Sequence, residues 1–322
     1  MLELFPQFNE YNNCIENQIY TIVSSKGDNV ELAYIDSLYF HFDYERYIAG
    51  EWSTLGELIE ETYVLYINNL SWLTGLEFQL AYCDIKSLGS EIKRSIDNDN
   101  PIIVFLDGYW CPWEGVYQKY KGFSHGIIIK GITNAGYNCT DGHRKIKDCY
   151  ITKRDLQEGF LGKVVRLKHV TKQEEPISWQ KFIRNAGLRA ISMKENSAFC
   201  NIGYFREAVN RDLDMKREIK GFETNFITIE RAPIVERIKK IKCDRKKLEW
   251  CLRTIKEKNM QLDIDELIDM AYHSANQWKH IQVLLMKYYY SSDIKYKNKI
   301  VDMLDKIAAL EEKLAVNMSK IE

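Results

Sequence analysis

The sequence predicts an α+β domain followed by an all-α domain, and three observations lead to this fold class. Short apolar runs rich in β-branched residues recur between residues 102 and 167, as is typical of strands. After about residue 172 the apolar residues recur at helical spacing, and Gly and Pro become rare. A polar segment ending in Pro176 separates the two patterns. We therefore expect domains at residues 1–172 and 173–322.

The first domain is predicted to contain three helices and five strands. Its helices combine apolar positions at helical spacing with polar start signals, or with Gly, Asn and Pro at their ends. Each predicted strand is a short apolar run beside turn-forming residues. The helices are expected at residues 14–25, 55–63 and 87–96, and the strands at residues 102–106, 126–132, 137–140, 149–152 and 164–167.

The second domain is predicted to contain five helices, at residues 178–191, 201–215, 233–258, 263–290 and 293–320. Residues 222–231 fit either a strand or an irregular connection. In the last helix, mostly apolar residues alternate three and four apart, as in a short coiled coil. These residues are Ile300, Met303, Ile307, Leu310, Leu314, Asn317 and Ile321. The helix is expected either to dock on its own domain or to form a homodimer through residues 300–321.

Composition and charge exclude several classes of protein. The chain is 45% hydrophobic and 28% charged, which is typical of a globular protein and not of a disordered one. Its 45 basic and 46 acidic residues give no nucleic-acid footprint. No apolar run reaches the roughly 18 residues of a membrane span. The N-terminus lacks the pattern of a secretory signal, so we expect no membrane partner and a cytoplasmic location.

The eight cysteines show no Cys-x-x-Cys spacing. We therefore expect no metal site, and no disulfide framework in a chain without an export signal. Most of these cysteines, including Cys83, Cys149 and Cys251, are predicted to be small buried apolar residues.

Cys14 is the strongest candidate for a functional residue. It lies where a polar, irregular stretch becomes apolar-periodic, so its thiol is predicted at the start of a helix. Unpaired amide groups and the positive end of the helix dipole favour a thiolate at such a position. A thiolate is the reactive form of a cysteine nucleophile, which also needs a base and a group that orients the base.

His125 and Asp141 supply that base and that orienting group. His125 lies at the start of an apolar strand, and Asp141 lies at the end of the next strand. Histidine can take the thiol proton, while a carboxylate can hold the imidazole in the required tautomer. Helix start, strand start and strand end, in this order, are the layout of papain-like cysteine enzymes. In that fold the nucleophile helix packs on an antiparallel sheet.

Each of these residues also has an ordinary structural explanation when it is taken alone. Cys14 fits a helix core, and Asp141 fits a turn because Gly142 follows it. Cys111 is the rival nucleophile, but it follows a strand, where nothing obvious lowers a thiol pKa. His143 lies in a polar turn and is expected to be solvated.

A thiol that attacks a carbonyl group also needs donors for the oxyanion that forms. The main-chain amide of Cys14 is one expected donor. A side-chain amide upstream is the expected second donor, and the sequence leaves three candidates open, which are Gln7, Asn9 and Asn13.

Several short segments of the chain resemble the butirosin biosynthesis protein H family, a relative of the C39-type papain-like peptidases. In the first domain these are the Cys14 segment, Leu106–Pro112, His125–Gly131 and Thr140–Asp141. In the second domain they are Arg184–Ala186, Ile202–Ala208 and Ala275–Trp278. The resemblance covers nearly the whole chain, although residues 110–113, Trp-Cys-Pro-Trp, are bulkier than the family pattern.

The resemblance implies acyl transfer without a bound cofactor. The acyl group arrives as a thioester on the phosphopantetheine arm of an acyl or peptidyl carrier protein, passes to Cys14, and then reaches an amine of a natural-product acceptor. Asp107 and Tyr109, at a strand end, are the expected contacts of that small-molecule acceptor. Other functions remain open, namely a C39-type peptidase, a peptide cyclase or thioesterase with the same three residues, and a silent binding protein.

Overall fold

The computed structural model describes residues 3–60, 63–172, 178–192, 197–223 and 229–322. Within these ranges the protein consists of a six-stranded antiparallel sheet and a larger number of helices, which confirms the predicted α+β class. The chain divides into two compact units. One contains the described residues of Met1–Val30 and Ile67–Glu174, and the other those of Glu31–Tyr66 and Glu175–Glu322.

The sheet lies entirely in the first unit, and its order is β1-β6-β2-β3-β4-β5. The strands are β1 Leu76–Tyr82, β2 Ile102–Asp107, β3 Ser124–Ile132, β4 Gly136–Asp141, β5 Ile146–Thr152 and β6 Phe160–His169. All neighbouring strands are antiparallel. The five predicted strands are confirmed as β2 to β6, whereas β1 was missed. It pairs with β6 along its whole length. Leu76, Phe78, Leu80 and Tyr82 alternate with other residues at the period of a strand, so the local signal was present in the sequence.

The described α-helices are α1 Cys14–Ser24, α2 Tyr44–Ala49, α3 Tyr63–Thr74, α4 Ile85–Asp97, α5 Lys153–Gly159, α6 Trp179–Ser192, α7 Ala198–Asp212, α8 Met215–Ile219, α9 Pro233–Lys258, α10 Asp265–Ser291 and α11 Ile294–Ser319. Every described regular element after β6 is a helix. No helix in the described ranges is both long and apolar enough to span a membrane. Residues 173–177 of the predicted linker, and 224–228 of the segment left open as strand or connection, lie outside the described residues.

Helix α1 packs directly on β3, and a glycine makes this possible. A Cβ atom at Gly126 would lie 2.2 Å from Cδ1 of Ile15, so any larger residue would push the helix away from the sheet. Apolar side chains of the sheet, among them Val104 and Ile127, form a buried core with Leu88 of α4. The close contact between Gly126 and Ile15 therefore fixes the distance between α1 and the sheet.

The predicted helix at residues 55–63 is wrong. The structure has a short 3-10 turn at Gly56–Leu58, and α3 begins only at Tyr63. The main-chain amides of Leu55 and Gly56 both donate to the carboxylate of Glu218, at 2.7 and 3.1 Å. A distant side chain thus replaces the local capping that the sequence pattern suggested.

Residues 31–66 fall in the predicted first domain but pack with the helical second unit. Phe40 and Phe42 are buried there against Phe205 of α7, and Phe40 also stacks on Trp278 of α10. Aromatic side chains bury large apolar areas. These contacts therefore explain why residues 31–66 belong to the helical unit, although they precede the strands in the sequence.

The regularly spaced residues of α11 are buried inside the helical unit. Ile300, Ile307 and Leu314 are fully buried, and α11 packs against α6, α7 and α10. Docking within the unit therefore accounts for the spacing. Association through residues 300–321 remains a prediction.

A buried ion pair joins three helices of this unit. The Arg245 guanidinium of α9 donates to both carboxylate oxygens of Glu311 on α11, at 2.7 and 2.8 Å. Ser274 and Trp278 of α10 donate to the same carboxylate. Arg245 also donates to the main-chain oxygen of Ser37. Both charged side chains are 0% exposed, so each buried charge needs the other as its counter-charge.

Candidate functional site

Cys14 is the first residue of α1, as the sequence predicted. Asn13 caps the helix, because its side-chain oxygen accepts from the amide of Glu16 at 2.9 Å. Glu16 completes the capping box by accepting from the amide of Asn13 at 2.8 Å. The thiol is therefore held at the positive end of a well-capped helix.

His125 and Asp141 meet at the ends of two adjacent strands. Nε2 of His125 lies 2.7 Å from Oδ2 of Asp141, and both side chains are almost completely buried. The thiol of Cys14 lies close enough to His125 to raise the pKa of the imidazole. Since Nε2 faces Asp141, Nδ1 is the ring nitrogen left for the thiol. The structure thus brings His125 and Asp141 into direct contact and places Cys14 near the imidazole.

The environment shifts the pKa of both partners in opposite directions. Burial disfavours the charged imidazole of His125, but its hydrogen bond to Asp141 and its interaction with Cys14 outweigh burial and raise its pKa to about 10. Burial likewise opposes ionisation of Asp141, yet its bonds to His125, Trp113 and Gln18 lower its pKa to about 2. The pair therefore favours imidazolium and carboxylate at neutral pH.

These shifts predict how the pair contributes to stability at different pH. The contribution of His125 is complete below its ordinary pKa of 6.5 and is lost as the pH rises through about 10. That of Asp141 is complete above 3.8 and is lost as the pH falls through about 2. Urea unfolding of the natural protein and of His125→Ala should therefore differ most between pH 3.8 and 6.5. A difference that stays constant on both sides of that window would contradict the assigned shifts.

Gln18 ties α1 to both strands and was missed by the sequence analysis. Its side-chain nitrogen donates to the carbonyl of Gly126 at 2.8 Å and to Oδ1 of Asp141 at 2.9 Å. Its side-chain oxygen accepts from the amide of Gly142 at 2.9 Å. The sequence contains one signal for this role. Gln18 is a polar residue one helical turn after Cys14, and it lies on the buried face of α1 together with Ile15 and other apolar residues.

Replacing Gln18 with alanine should destabilise the sheet unit by about 1–3 kcal/mol, because buried groups on both strands lose their partner. Urea unfolding monitored by circular dichroism measures this change. Gln157 is a matched control, because it is an exposed helical glutamine with no recorded hydrogen bond among the described residues. Equal effects of Gln18→Ala and Gln157→Ala would contradict the bridging role.

A second carboxylate, also missed by the sequence analysis, lies beside His125. Oε1 of Glu114 is 3.4 Å from Nε2 of His125, and its side chain is buried. Arg144 donates to both oxygens of Glu114 at 2.6 Å. Trp113 donates to Oδ2 of Asp141 at 2.7 Å. These contacts surround the imidazole with fixed polar groups on the side opposite to the thiol.

Glu114, His125 and Asp141 bring three potential metal-ligand atoms within 4.8 Å of one another. However, Arg144 already occupies both oxygens of Glu114 and balances its charge. A metal ion would have to displace this guanidinium and the indole of Trp113. We therefore interpret the cluster as a hydrogen-bonded ion-pair network.

His143 is closer to the site than predicted. It was expected to be solvated, but it is half-buried, and its ring centre lies 6.0 Å from that of His125. Its Nδ1 lies 3.0 Å from the side-chain nitrogen of Asn17 on α1. Burial lowers the pKa of His143, and the positive charges of His125 and Arg144 lower it further. His143, in the turn between β4 and β5, therefore contacts α1 and is not simply exposed to solvent.

The three candidate oxyanion donors differ in how their side chains are used. The side-chain oxygen of Asn9 accepts from the amide of Tyr11, and that of Asn13 caps α1. Among the described residues no hydrogen bond to the side-chain amide of Gln7 is recorded. Its main-chain amide donates to Thr21 of α1 at 2.9 Å. Gln7 is therefore attached to α1, and the side-chain nitrogens of all three candidates have no hydrogen-bond partner in the described ranges.

Asp107 is engaged in the loop that follows β2. Its oxygens accept from the amides of Tyr109 at 3.0 Å, Gly122 at 2.7 Å and Phe123 at 3.4 Å. Asp107 pairs with Ser124 across β2 and β3, so strand alternation directs it to the opposite face from His125. These contacts give Asp107 a structural role. A contact of Asp107 or Tyr109 with an acceptor remains a prediction.

The rival thiol of Cys111 is buried inside the sheet core. Burial raises the pKa of Cys111, and the nearby charges of Asp141 and Glu114 raise it further. Of the cysteines predicted as buried, Cys251 is fully buried, whereas Cys83 and Cys149 are partly exposed. Cys14 is thus the cysteine that combines a helix start with a histidine partner.

No family model matches this chain, and no curated protein matches it either. The family resemblance of the short motifs therefore stays a prediction. The functional interpretation depends on the geometry of the residues around Cys14.

Proposed function

We propose that the protein is a papain-like, cysteine-dependent acyltransferase with Cys14 as nucleophile. The observation that carries this proposal is the buried His125–Asp141 pair, with Cys14 at the start of α1 close enough to raise the pKa of His125. Covalent acyl transfer requires a nucleophile, a base within reach of it and a carboxylate that orients the base. The packing of α1 on an antiparallel sheet supports the same assignment.

In the first half-reaction, the thiolate of Cys14 attacks the carbonyl carbon of an acyl thioester. A new carbon–sulfur bond forms, and the carbonyl electrons move onto oxygen. The intermediate collapses when the original carbon–sulfur bond breaks, and the leaving thiolate takes the proton of the His125 imidazolium. The products are acyl-Cys14 and a free thiol.

In the second half-reaction, an amine attacks the acyl group on Cys14. Neutral His125 takes a proton from the amine as the new carbon–nitrogen bond forms. The bond to Cys14 breaks, which restores the thiolate and the imidazolium. Asp141 keeps Nε2 of His125 engaged throughout, so that Nδ1 remains directed at sulfur and substrate.

The oxyanion in both steps requires hydrogen-bond donors that are already in position. The main-chain amide of Cys14, in the first turn of α1, is one proposed donor. The side-chain nitrogens of Gln7, Asn9 and Asn13 are the candidates for the second donor.

The carrier-protein thioester and the amine acceptor are proposed from the family resemblance. A peptidase, cyclase or thioesterase would use the same first half-reaction and differ only in the acyl donor or acceptor. A silent binding protein would form no adduct at all.

The test has two stages. Purified protein is incubated with acyl-phosphopantetheinyl carrier protein, and the adduct on Cys14 is located by peptide mass spectrometry. The isolated acyl-protein is then mixed with aminoglycoside amines or with water alone. An adduct released by amine in preference to water is expected. Failure to form an acyl-Cys14 adduct from any thioester or peptide donor would overturn the proposal, and release by water alone would favour hydrolysis.

His125→Ala should reduce acyl transfer more than Asp141→Asn does, because His125 moves protons whereas Asp141 orients it. Loss of the orienting carboxylate still costs on the order of 10⁴-fold in serine proteases, so both effects should be large. Rates of adduct formation measure them, with the far-ultraviolet spectrum as the folding control. A milder loss in His125→Ala than in Asp141→Asn would contradict these roles.

A further inference from the structure

One face of α1 presents three consecutive contacts to β3, β4 and the turn after β4. Cys14 meets His125, Asn17 meets His143, and Gln18 meets Asp141. Residues three and four apart on a helix lie on the same face, so these contacts form one continuous row. Two of the three have a place in the proposed mechanism, but the contact between Asn17 and His143 does not.

The hydrogen bonds of Asn17 fix the orientation of its side-chain amide. Its oxygen accepts from the main-chain amide of Asn9 at 2.8 Å. Its nitrogen faces the main-chain oxygens of Asn9 and Asn12, at 3.3 and 3.4 Å. If the side chain were turned over, its oxygen would face the two main-chain carbonyl oxygens and could not accept from either. The nitrogen must therefore be the atom that faces His143. Asn17 is fully buried, which leaves it no solvent partner as an alternative.

This orientation determines the tautomer of His143. The side-chain nitrogen of Asn17 can only donate, so Nδ1 of His143 must accept. A neutral imidazole that accepts at Nδ1 carries its proton on Nε2. Protonation of Nδ1 would set two donors against each other. Burial and the charge of His125 also lower the pKa of His143, in agreement with a neutral ring.

His143 thus offers one N–H group in the same row of contacts as Cys14 and close to the His125 ring. Its ring lies 6.0 Å from the His125 ring and 5.9 Å from the Phe8 ring, centre to centre. In the part of the chain that the structure describes, Nε2 of His143 has no recorded hydrogen-bond partner. The ring is only half-buried, so this donor is accessible to a substrate.

We infer that His143 donates a hydrogen bond from Nε2 to the carbonyl oxygen of the acyl group that reacts with Cys14. This inference rests on the proposed function and extends it to a further catalytic residue. The donor stays neutral, so it strengthens its bond as negative charge develops on oxygen without exchanging a proton. It would act together with the main-chain amide of Cys14, and Gln7 is one of the competing candidates.

Two substitutions separate the donor from the structural contact. His143→Asn places a side-chain oxygen near the position of Nδ1, where Asn17 can still donate, but it removes the donor at Nε2. His143→Gln can place an amide N–H near the position of Nε2. Each variant is compared with the natural protein and with Gln7→Ala.

Two reactions of Cys14 serve as readouts. Acylation by S-acetyl-N-acetylcysteamine, a short thioester, develops an oxyanion, whereas alkylation by iodoacetamide does not. We expect His143→Asn to slow acylation about 100- to 1000-fold, the usual effect of losing one such donor. Alkylation should change by less than about threefold. His143→Gln should recover at least about tenfold of the lost acylation rate.

The outcomes distinguish the inference from the proposed function. Absence of acylation in the natural protein would overturn the proposed function and the inference with it. Normal acylation in His143→Asn, or a large loss confined to Gln7→Ala, would overturn only the role of His143. Parallel losses of acylation and alkylation would also overturn it, because they would indicate a general disturbance of Cys14.

The tautomer can be tested without any substrate. Nitrogen-15 NMR of labelled protein at neutral pH should show His143 as neutral, with Nδ1 unprotonated and Nε2 protonated. The His143→Asn spectrum supplies the assignment. A proton on Nδ1 of His143, in either a neutral or a charged ring, would overturn the inference.

Discussion

Cys14→Ala should abolish both formation of the acyl adduct and formation of product. The thiol is the proposed attacking group, and no other described cysteine combines a helix start with a histidine partner. Removal of a nucleophile that acts with its base costs on the order of 10⁶-fold in a related type of enzyme. Intact-protein mass and product yield measure the two half-reactions separately.

Two other cysteines are the controls for this experiment. Cys200 is exposed on α7, so Cys200→Ala should leave both half-reactions unchanged. Cys111 is buried near Asp141, so Cys111→Ala tests the rival nucleophile. Full activity of Cys14→Ala, or loss of the adduct only in a well-folded Cys111→Ala variant, would exclude Cys14 as the nucleophile.

Glu311→Ala should strongly destabilise the helical unit. It would leave the guanidinium of Arg245 buried without a counter-charge, and it would remove the acceptor of Ser274 and Trp278. Breaking one side of a buried ion pair costs about 3–5 kcal/mol. Urea unfolding monitored at α-helical wavelengths should show the loss.

Glu312 is the matched control for Glu311. It is the next residue on α11, is exposed, and has no recorded ion pair within the described ranges, so Glu312→Ala should change stability by less than about 0.5 kcal/mol. The double change Arg245→Met with Glu311→Leu should recover part of the lost stability, because an apolar pair replaces both charges together while Ser274 and Trp278 still lose their acceptor. Equal stability of Glu311→Ala and Glu312→Ala would show that the network contributes little.

The features that the sequence predicted well are those that local patterns determine. β2 is a continuous apolar run after Pro101, and α1 changes from polar to periodic at Cys14, so both could be located within a few residues. Because His125 and Asp141 lie at the ends of such elements, their contact could also be predicted from the sequence.

The features that were missed depend on partners far away in sequence. The 3-10 turn at residues 56–58 is capped by Glu218. β1 is the exception, because its apolar residues alternate at the period of a strand. Glu114 lies in a polar loop, where nothing in its neighbourhood indicates that Arg144 will pair with it after burial. Neither periodicity nor capping patterns contain this information, because it arises only when the elements pack.

The turn between β4 and β5 has an evolutionary consequence. Surface turns usually tolerate inserted or deleted residues better than any other part of a domain. Here Asp141, Gly142 and His143 each contact α1, and a Cβ atom at Gly142 would lie 2.3 Å from Oγ1 of Thr21. A change in length at these three positions would shift the whole row of contacts against the helix. Variation in length among natural homologues should therefore be confined to the far end of this turn, around Lys145, where the chain reverses with a left-handed residue.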